Sequence, residues 1–164
     1  MILKYLTKKF YLNLLLILFI FLFDRLSKLY VIKVYERTLD TEIFNSSFLN
    51  ITLIWNSGIA FGFLPFQDKY MYNAITILVS LIILILIGLL FKAKKLQFFS
   101  YLMIIGGAFG NLFDRVFYKS VPDFIEFHYS GFHWFVFNVA DIFISIGVIC
   151  LIFDEVFLQK QRNE

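Results

Sequence analysis

The residues best suited to chemistry in this chain are aspartates. Asp123 and Asp141 bracket the stretch VPDFIEFHYSGFHWFVFNVAD, which is rich in aromatics and holds both histidines of the chain. The second carboxylate opens into an apolar run, IFISIGVICLIF. A carboxylate at the mouth of a membrane helix is costly, so by default it marks a functional site. Two converging carboxylates can share a proton, the ionised one activating water while the protonated one polarises a carbonyl. Other hydrolytic chemistries fit less well. Ser27 and Lys28 are adjacent, and on a helix they diverge by about 100°, which argues against a serine–lysine couple. His128 and His133 are five residues apart and lack the H-E-x-x-H context of a zinc protease, so no metal or cofactor is expected. A third aspartate, Asp114, has Arg115 beside it, which suits a structural pair. Asp123 and Asp141 lack an adjacent cation, and they are the expected catalytic pair.

Elements able to position these groups must be membrane elements. Hydrophobic residues make up 60% of the 164, and charged residues only 16%. Soluble domains average about 25% charged, and a chain this short has too little interior to hide so much apolar surface. The net charge is +3, and small basic clusters flank the apolar runs: Lys4, Lys8 and Lys9; Lys92, Lys94 and Lys95; Lys160 and Arg162. With four spans all three clusters fall on one side, which the positive-inside rule makes the cytoplasm. Clusters of two or three are topological signals rather than a nucleic-acid surface, so no nucleic-acid partner is expected. The single Cys150 lies in an apolar run and excludes a disulfide framework.

Phe10–Phe23 is a run of fourteen uncharged residues behind a lysine-bearing N-terminus. It resembles a secretory signal peptide, but no small-x-small cleavage site follows. One uncleaved helix is expected over about 10–34, with Asp24 and Lys28 at i, i+4 sharing a face. Residues 36–69 differ in character. The alternation Leu49, Ile51, Leu53, Trp55 predicts a half-buried strand, Asn56-Ser57-Gly58 a turn, and IAFGFLPF a second short apolar piece. Tyr70–Phe91 has twenty-two residues without a charge, long enough for a bilayer core of about 30 Å. A third helix is expected over about 96–117. Its Gly106 and Gly110 form a small-xxx-small pair, and Gly107, Asn111, Asp114 and Tyr118 mark one polar face. A fourth runs over about 137–157, with Asn138 and Asp141 at i, i+3 near its start.

The resulting expectation is one domain over 1–164, an all-α integral membrane protein built as a four-transmembrane-helix bundle. A small extracytoplasmic β-rich cradle and a short extracytoplasmic loop or helix, a lid over about 119–136, complete it. Drawn this way, Asp24, Asn56, Asn111, Asp114, Asp123, Asn138 and Asp141 all fall at the extracytoplasmic side. A transporter or channel subunit using buried carboxylates is the alternative, but the cytoplasmic halves Leu81–Phe91 and Ile142–Phe153 are almost uniformly apolar. A presenilin-like protease would carry G-x-G-D, whereas Asp141 follows Val139-Ala140.

The blocks DRLSK, NSGIAFG, GGAFGNLFDR, VPDFI and FNVADIFISIG, in this order over nearly the whole chain, resemble the lipoprotein signal peptidases, or signal peptidase II. That resemblance implies a bacterial inner-membrane aspartic endopeptidase acting without a cofactor. Its substrates would be prolipoproteins, cut just before their diacylglyceryl-modified cysteine, and its other partner membrane lipid. A monomer with both termini cytoplasmic is expected. By the same resemblance the catalytic dyad falls on Asp123 and Asp141. Supporting positions fall on Asp24, Lys28, Asn56, Gly58, Gly107, Asn111, Asp114, Arg115, Asn138 and Ala140. Two departures are Arg25, where the family usually has glutamine, and Pro122. Arg25 is expected to point away from the Asp24–Lys28 face.

Overall fold

In apolar surroundings a segment satisfies its backbone polar groups internally only as a helix, and each long apolar run of this chain is helical. The computed structural model describes residues 8–58, 69–93 and 95–158. Within them the order is α1 (Lys8–Thr38), β1 (Glu42–Asn45), β2 (Leu49–Asn56), α2 (Lys69–Leu90), α3 (Lys95–Phe117), β3 (Val121–Tyr129), β4 (Phe132–His133) and α4 (Val139–Phe153). One π-helical turn, Asp154–Leu158, extends α4. The apolar piece IAFGFLPF, Lys4, Lys94, Lys160 and Arg162 lie outside the described residues.

The bundle is apolar outside and holds charged groups inside, beside buried aliphatic side chains such as Ile20, Leu102 and Ile105. Leu15 and Phe19 on α1, Leu84 and Ile85 on α2, and Ile149 and Ile152 on α4 are exposed. Asp24, Lys28 and Asp114 are completely buried. This inversion is that of a protein whose surroundings are lipid, where polar groups must find partners within the bundle. Among the described residues, two helical segments, Tyr70–Leu90 and Leu96–Phe117, are long and apolar enough to cross a membrane.

Helix α3 is central, with α1, α2 and α4 packed against it. Its glycines let two of these neighbours approach. A Cβ on Gly106 would meet the Ile20 side chain at 3.0 Å, and one on Gly110 would collide with the Asp24 carboxylate. The small-xxx-small pair thus seats α1. Gly107 seats α4, since a Cβ there would stand 2.5 Å from the Ala140 carbonyl oxygen. Gly147 returns the favour from α4, lying against the Ser100 carbonyl and Ile104.

The all-α expectation needs correction, because the segment after α3 is not a loop or helix. It is a β-hairpin, β3–β4, turned by Ser130 and Gly131, both with positive φ (51° and 83°) as a two-residue primed turn requires. Strand β3 pairs antiparallel with β2, giving the four-stranded order β1-β2-β3-β4. Val31, Leu53, Phe124 and Val139 form the core that joins sheet to helices. The predicted strand at Leu49–Trp55 is present, but its facing changes midway. Between Ile51 and Ile54 strand β2 advances three residues while β3 advances two, from Ile125 to Asp123. That one-residue bulge turns Trp55 outward and Asn56 inward, as a shift of one residue must.

Candidate active site

The inward turn at Asn56 brings an amide beside Asp123. Asn56 Nδ2 donates to one oxygen of Asp123 at 2.8 Å, while Asn56 Oδ1 accepts from the Gly58 backbone N–H at 2.9 Å. The other Asp123 oxygen accepts from Asn138 Nδ2 at 2.6 Å. Asn138 also caps α4. Its side-chain oxygen accepts from the Asp141 N–H at 3.1 Å, and its own N–H donates to Asp141 Oδ2 at 3.2 Å. This reciprocal capping box fixes Asp141 in the first turn of α4, where the helix dipole favours a carboxylate. One asparagine therefore holds both aspartates. The remaining Asp141 oxygen accepts from Asn111 Nδ2 at 2.8 Å. All four carboxylate oxygens have a donor aimed at them.

Behind this pair lies a charged network. Lys28 Nζ spends its three protons on Asp24 at 2.8 Å, Asn111 at 2.9 Å and Asp114 at 2.7 Å. The second Asp24 oxygen accepts from the Ala140 N–H at 2.9 Å, tying α1 to the first turn of α4. Arg115 donates to the carbonyls of Asn111 at 3.3 Å and Gly58 at 3.4 Å. Asp24, Lys28, Asn56, Gly58, Asn111, Asp114, Arg115, Asn138 and Ala140 thus all join the network around Asp123 and Asp141. Gly107 contributes by its lack of a side chain.

Two expectations fail here. Arg115 does not pair with Asp114; its guanidinium turns to backbone carbonyls, and consecutive helical residues point about 100° apart. Asp114 is instead held by Lys28 and by Arg25, whose Nη1 donates to Asp114 Oδ1. Arg25 accordingly does not point away from the network. Arg25 and Lys28 are three apart, and residues at that spacing are neighbours on a helix. That spacing is the legible sign of Arg25's position. Tyr72, whose hydroxyl donates to the Arg115 carbonyl at 3.1 Å, carries no such sign.

Asp123 is pushed up to about 7, chiefly by burial and next by the neighbouring Asp141 charge; Asn56, Asn138 and Lys28 pull the other way. Two such carboxylates cannot both ionise cheaply, so a single proton can be held between them. The sign of the stability effect follows. An unfolded chain releases this proton near 3.8, whereas the folded chain keeps it to about 7. This group's contribution to stability is therefore fully present below about pH 4 and is lost as pH rises from there through 7, by at most about 4 kcal/mol. Asp123→Asn should flatten the slope between pH 4 and 7 relative to the unsubstituted protein, measured by thermal unfolding in detergent. An unchanged slope would mean that Asp123 titrates as an ordinary carboxylate.

Sequence and structure comparisons agree with one another. The family model for signal peptidase (SPase) II matches residues 16–157. A lipoprotein signal peptidase from Pelagibacter ubique is 52% identical over 158 residues, covering 96% of this chain and 95% of that protein. One from Rickettsia africae is 42% identical over 144 residues, 86% and 71% of the respective chains. A solved bacterial membrane enzyme superposes with a TM-score of 0.72 at 27% identity, covering 93% of this chain and 90% of that one. With the match running from α1 to the π-helical turn after α4, this chain belongs to the signal peptidase II family.

Proposed function

We propose that the protein is an aspartic endopeptidase that removes the signal peptide from diacylglyceryl-modified prolipoproteins, cutting just before the lipidated cysteine. The observation that carries this reading is the bridging of Asp123 and Asp141 by Asn138, with a donor on every carboxylate oxygen. Asp123 holds the shared proton and Asp141 is ionised. Asp141 takes a proton from the attacking water as its oxygen adds to the scissile carbonyl. Asp123 gives its proton to the carbonyl oxygen, which becomes the hydroxyl of a tetrahedral intermediate. Collapse breaks the C–N bond, the leaving amine takes the proton from Asp141, and Asp123 recovers its own from the hydroxyl that re-forms the carbonyl. Asp24, Lys28, Asn111, Asp114 and Arg115 hold this pair in place, while Gly58, Gly107 and Ala140 supply backbone contacts and clearance.

The four helices are read as four spans with both termini cytoplasmic and the dyad at the extracytoplasmic mouth. A groove of about 500 Å³ between α2, α3 and α4 supports a lipid-linked substrate. Ile75, Val79, Ala108, Ile144 and Val148 line it, and Asn111, Arg115 and Asp141 stand at its polar end. An acyl chain lying among the aliphatic side chains would leave its attached peptide at the aspartates. Sheet β1–β4 would cradle that peptide in extended form, and the aromatic hairpin would close over it. Purified protein should cleave a lipidated precursor and leave the same precursor without its diacylglyceryl group intact, read by gel shift and mass of the product. Equal cleavage of both would remove the lipid from the substrate definition.

A further inference from the structure

Arg25 is the departure within the DRLSK block, yet it is 7% exposed and reaches Asp114 within the network. Its guanidinium carbon stands 5.0 Å from the Phe113 ring centre and 5.6 Å from that of Tyr118. Its Nε and Nη2 have no hydrogen-bond acceptor among the described residues. The side chain is held by charge and by aromatic faces rather than by a full set of acceptors. Such a position makes sense for a group whose charge matters more than its hydrogen bonds.

The charges decide what it does. Asp24 and Asp114 oppose a single cation, Lys28, which touches both. Lys28 also holds Asn111, which in turn holds Asp141. Without Arg25 this chain of contacts would place one net negative charge behind the dyad. With it, Asp24 and Asp114 are balanced by Lys28 and Arg25. Arg115 then stands against the single negative charge of an Asp123–Asp141 pair sharing one proton. Asn56 from β2, Asn111 from α3 and Asn138 before α4 contact the pair, and Arg115 from α3 lines one groove with Asp141; Lys28 from α1 stands behind Asn111, with Asp24 from α1 and Asp114 from α3 behind Lys28.

We propose that Arg25 is a positioning residue that neutralises the buried network behind Asp141 and so keeps the working pH range of the dyad where it is. This rests on the reading of Asp123 and Asp141 as the dyad. In a buried, water-poor network an uncompensated charge acts over several ångströms, so its effect reaches the dyad through Asp114 and Lys28.

The test is the pH dependence of kcat and KM on a lipidated precursor for Arg25→Gln, Arg25→Lys and the double variant Arg25→Gln/Asp114→Asn. Arg25→Gln should move both limbs of the kcat profile to higher pH by about one unit, which is about tenfold lower turnover on the acid limb. Arg25→Lys keeps the charge and should keep the limb positions despite lost ring packing. The double variant removes one charge of each sign and should return the limbs to the positions of the unsubstituted protein. Limbs that stay put in Arg25→Gln while its Tm falls would make Arg25 a structural strut and overturn the proposal. If Arg25→Gln does not fold, the double variant decides: limbs displaced there overturn it as well. Failure of the dyad reading has a separate signature, activity surviving in Asp123→Asn or Asp141→Asn whatever the Arg25 profiles show.

Discussion

Asp123→Asn and Asp141→Asn should each abolish cleavage of a lipidated precursor, by about 10⁴-fold or more, while leaving a folded protein. Each substitution deletes a step that no neighbour can take over. The amide at position 141 cannot accept the proton of water, and the amide at position 123 is a far weaker acid than the carboxyl it replaces. The contacts that locate each side chain mostly survive. In Asp141→Asn the amide oxygen can still accept from the Asn138 N–H, and the Asp141 backbone N–H still reaches Asn138 Oδ1, so the start of α4 stays capped. In Asp123→Asn the amide oxygen still accepts from Asn138 or Asn56, only one of the two contacts is lost, and β3 keeps its ladder to β2. Product formation on gels, read beside thermal unfolding of the same preparation, separates lost chemistry from lost fold. Near-unsubstituted activity in either variant would sink the dyad assignment.

The aspartates are legible before any coordinates because their cost is legible: a carboxylate opening an apolar helix has to be explained. The helices are legible for the same reason, since Tyr70–Phe91 and Leu96–Phe113 admit little else in lipid. What sequence periodicity misses is geometry set by single residues. The alternation Leu49–Trp55 predicts the strand but points Trp55 inward, and only the bulge between Ile51 and Ile54 reverses this and delivers Asn56 to Asp123. Strand β3 escapes notice because VPDFIEFHY is apolar at Val121, Phe124, Ile125 and Phe127, which is neither strict alternation nor a helical stripe. Both of its edges are paired, one with β2 and the other with the backbone of Phe137, which exchanges hydrogen bonds with Ile125 at 2.8 and 3.0 Å. Adjacency in sequence also misleads, since Arg115 beside Asp114 suggests a pair that a helix forbids. The true partner, Arg25, is 89 positions away.

That reassignment changes what Asp114→Asn should do. Asp114 is completely buried and accepts from two cations, Arg25 on one oxygen and Lys28 on the other. Replacing it with asparagine leaves Arg25 without its anion inside a cage of Phe113 and Tyr118, and leaves Lys28 with Asp24 as its single remaining carboxylate contact. Breaking a buried pair by removing one partner costs about 3–5 kcal/mol, because a buried charge loses its compensation. The loss should appear as a large drop in Tm and in folded yield from membranes, with the surviving folded fraction still able to cleave. The double variant Arg25→Gln/Asp114→Asn should recover much of that loss, since removing both charges leaves none stranded. Recovery on Arg115→Gln/Asp114→Asn instead would restore the sequence-adjacent pairing. Full stability of Asp114→Asn with lost turnover would move Asp114 out of the scaffold and into the chemical step. The distinction matters physically: a carboxylate with a strong cation on each oxygen has little freedom to exchange a proton, whereas Asp123 and Asp141, held by amides and backbone N–H groups, keep that freedom.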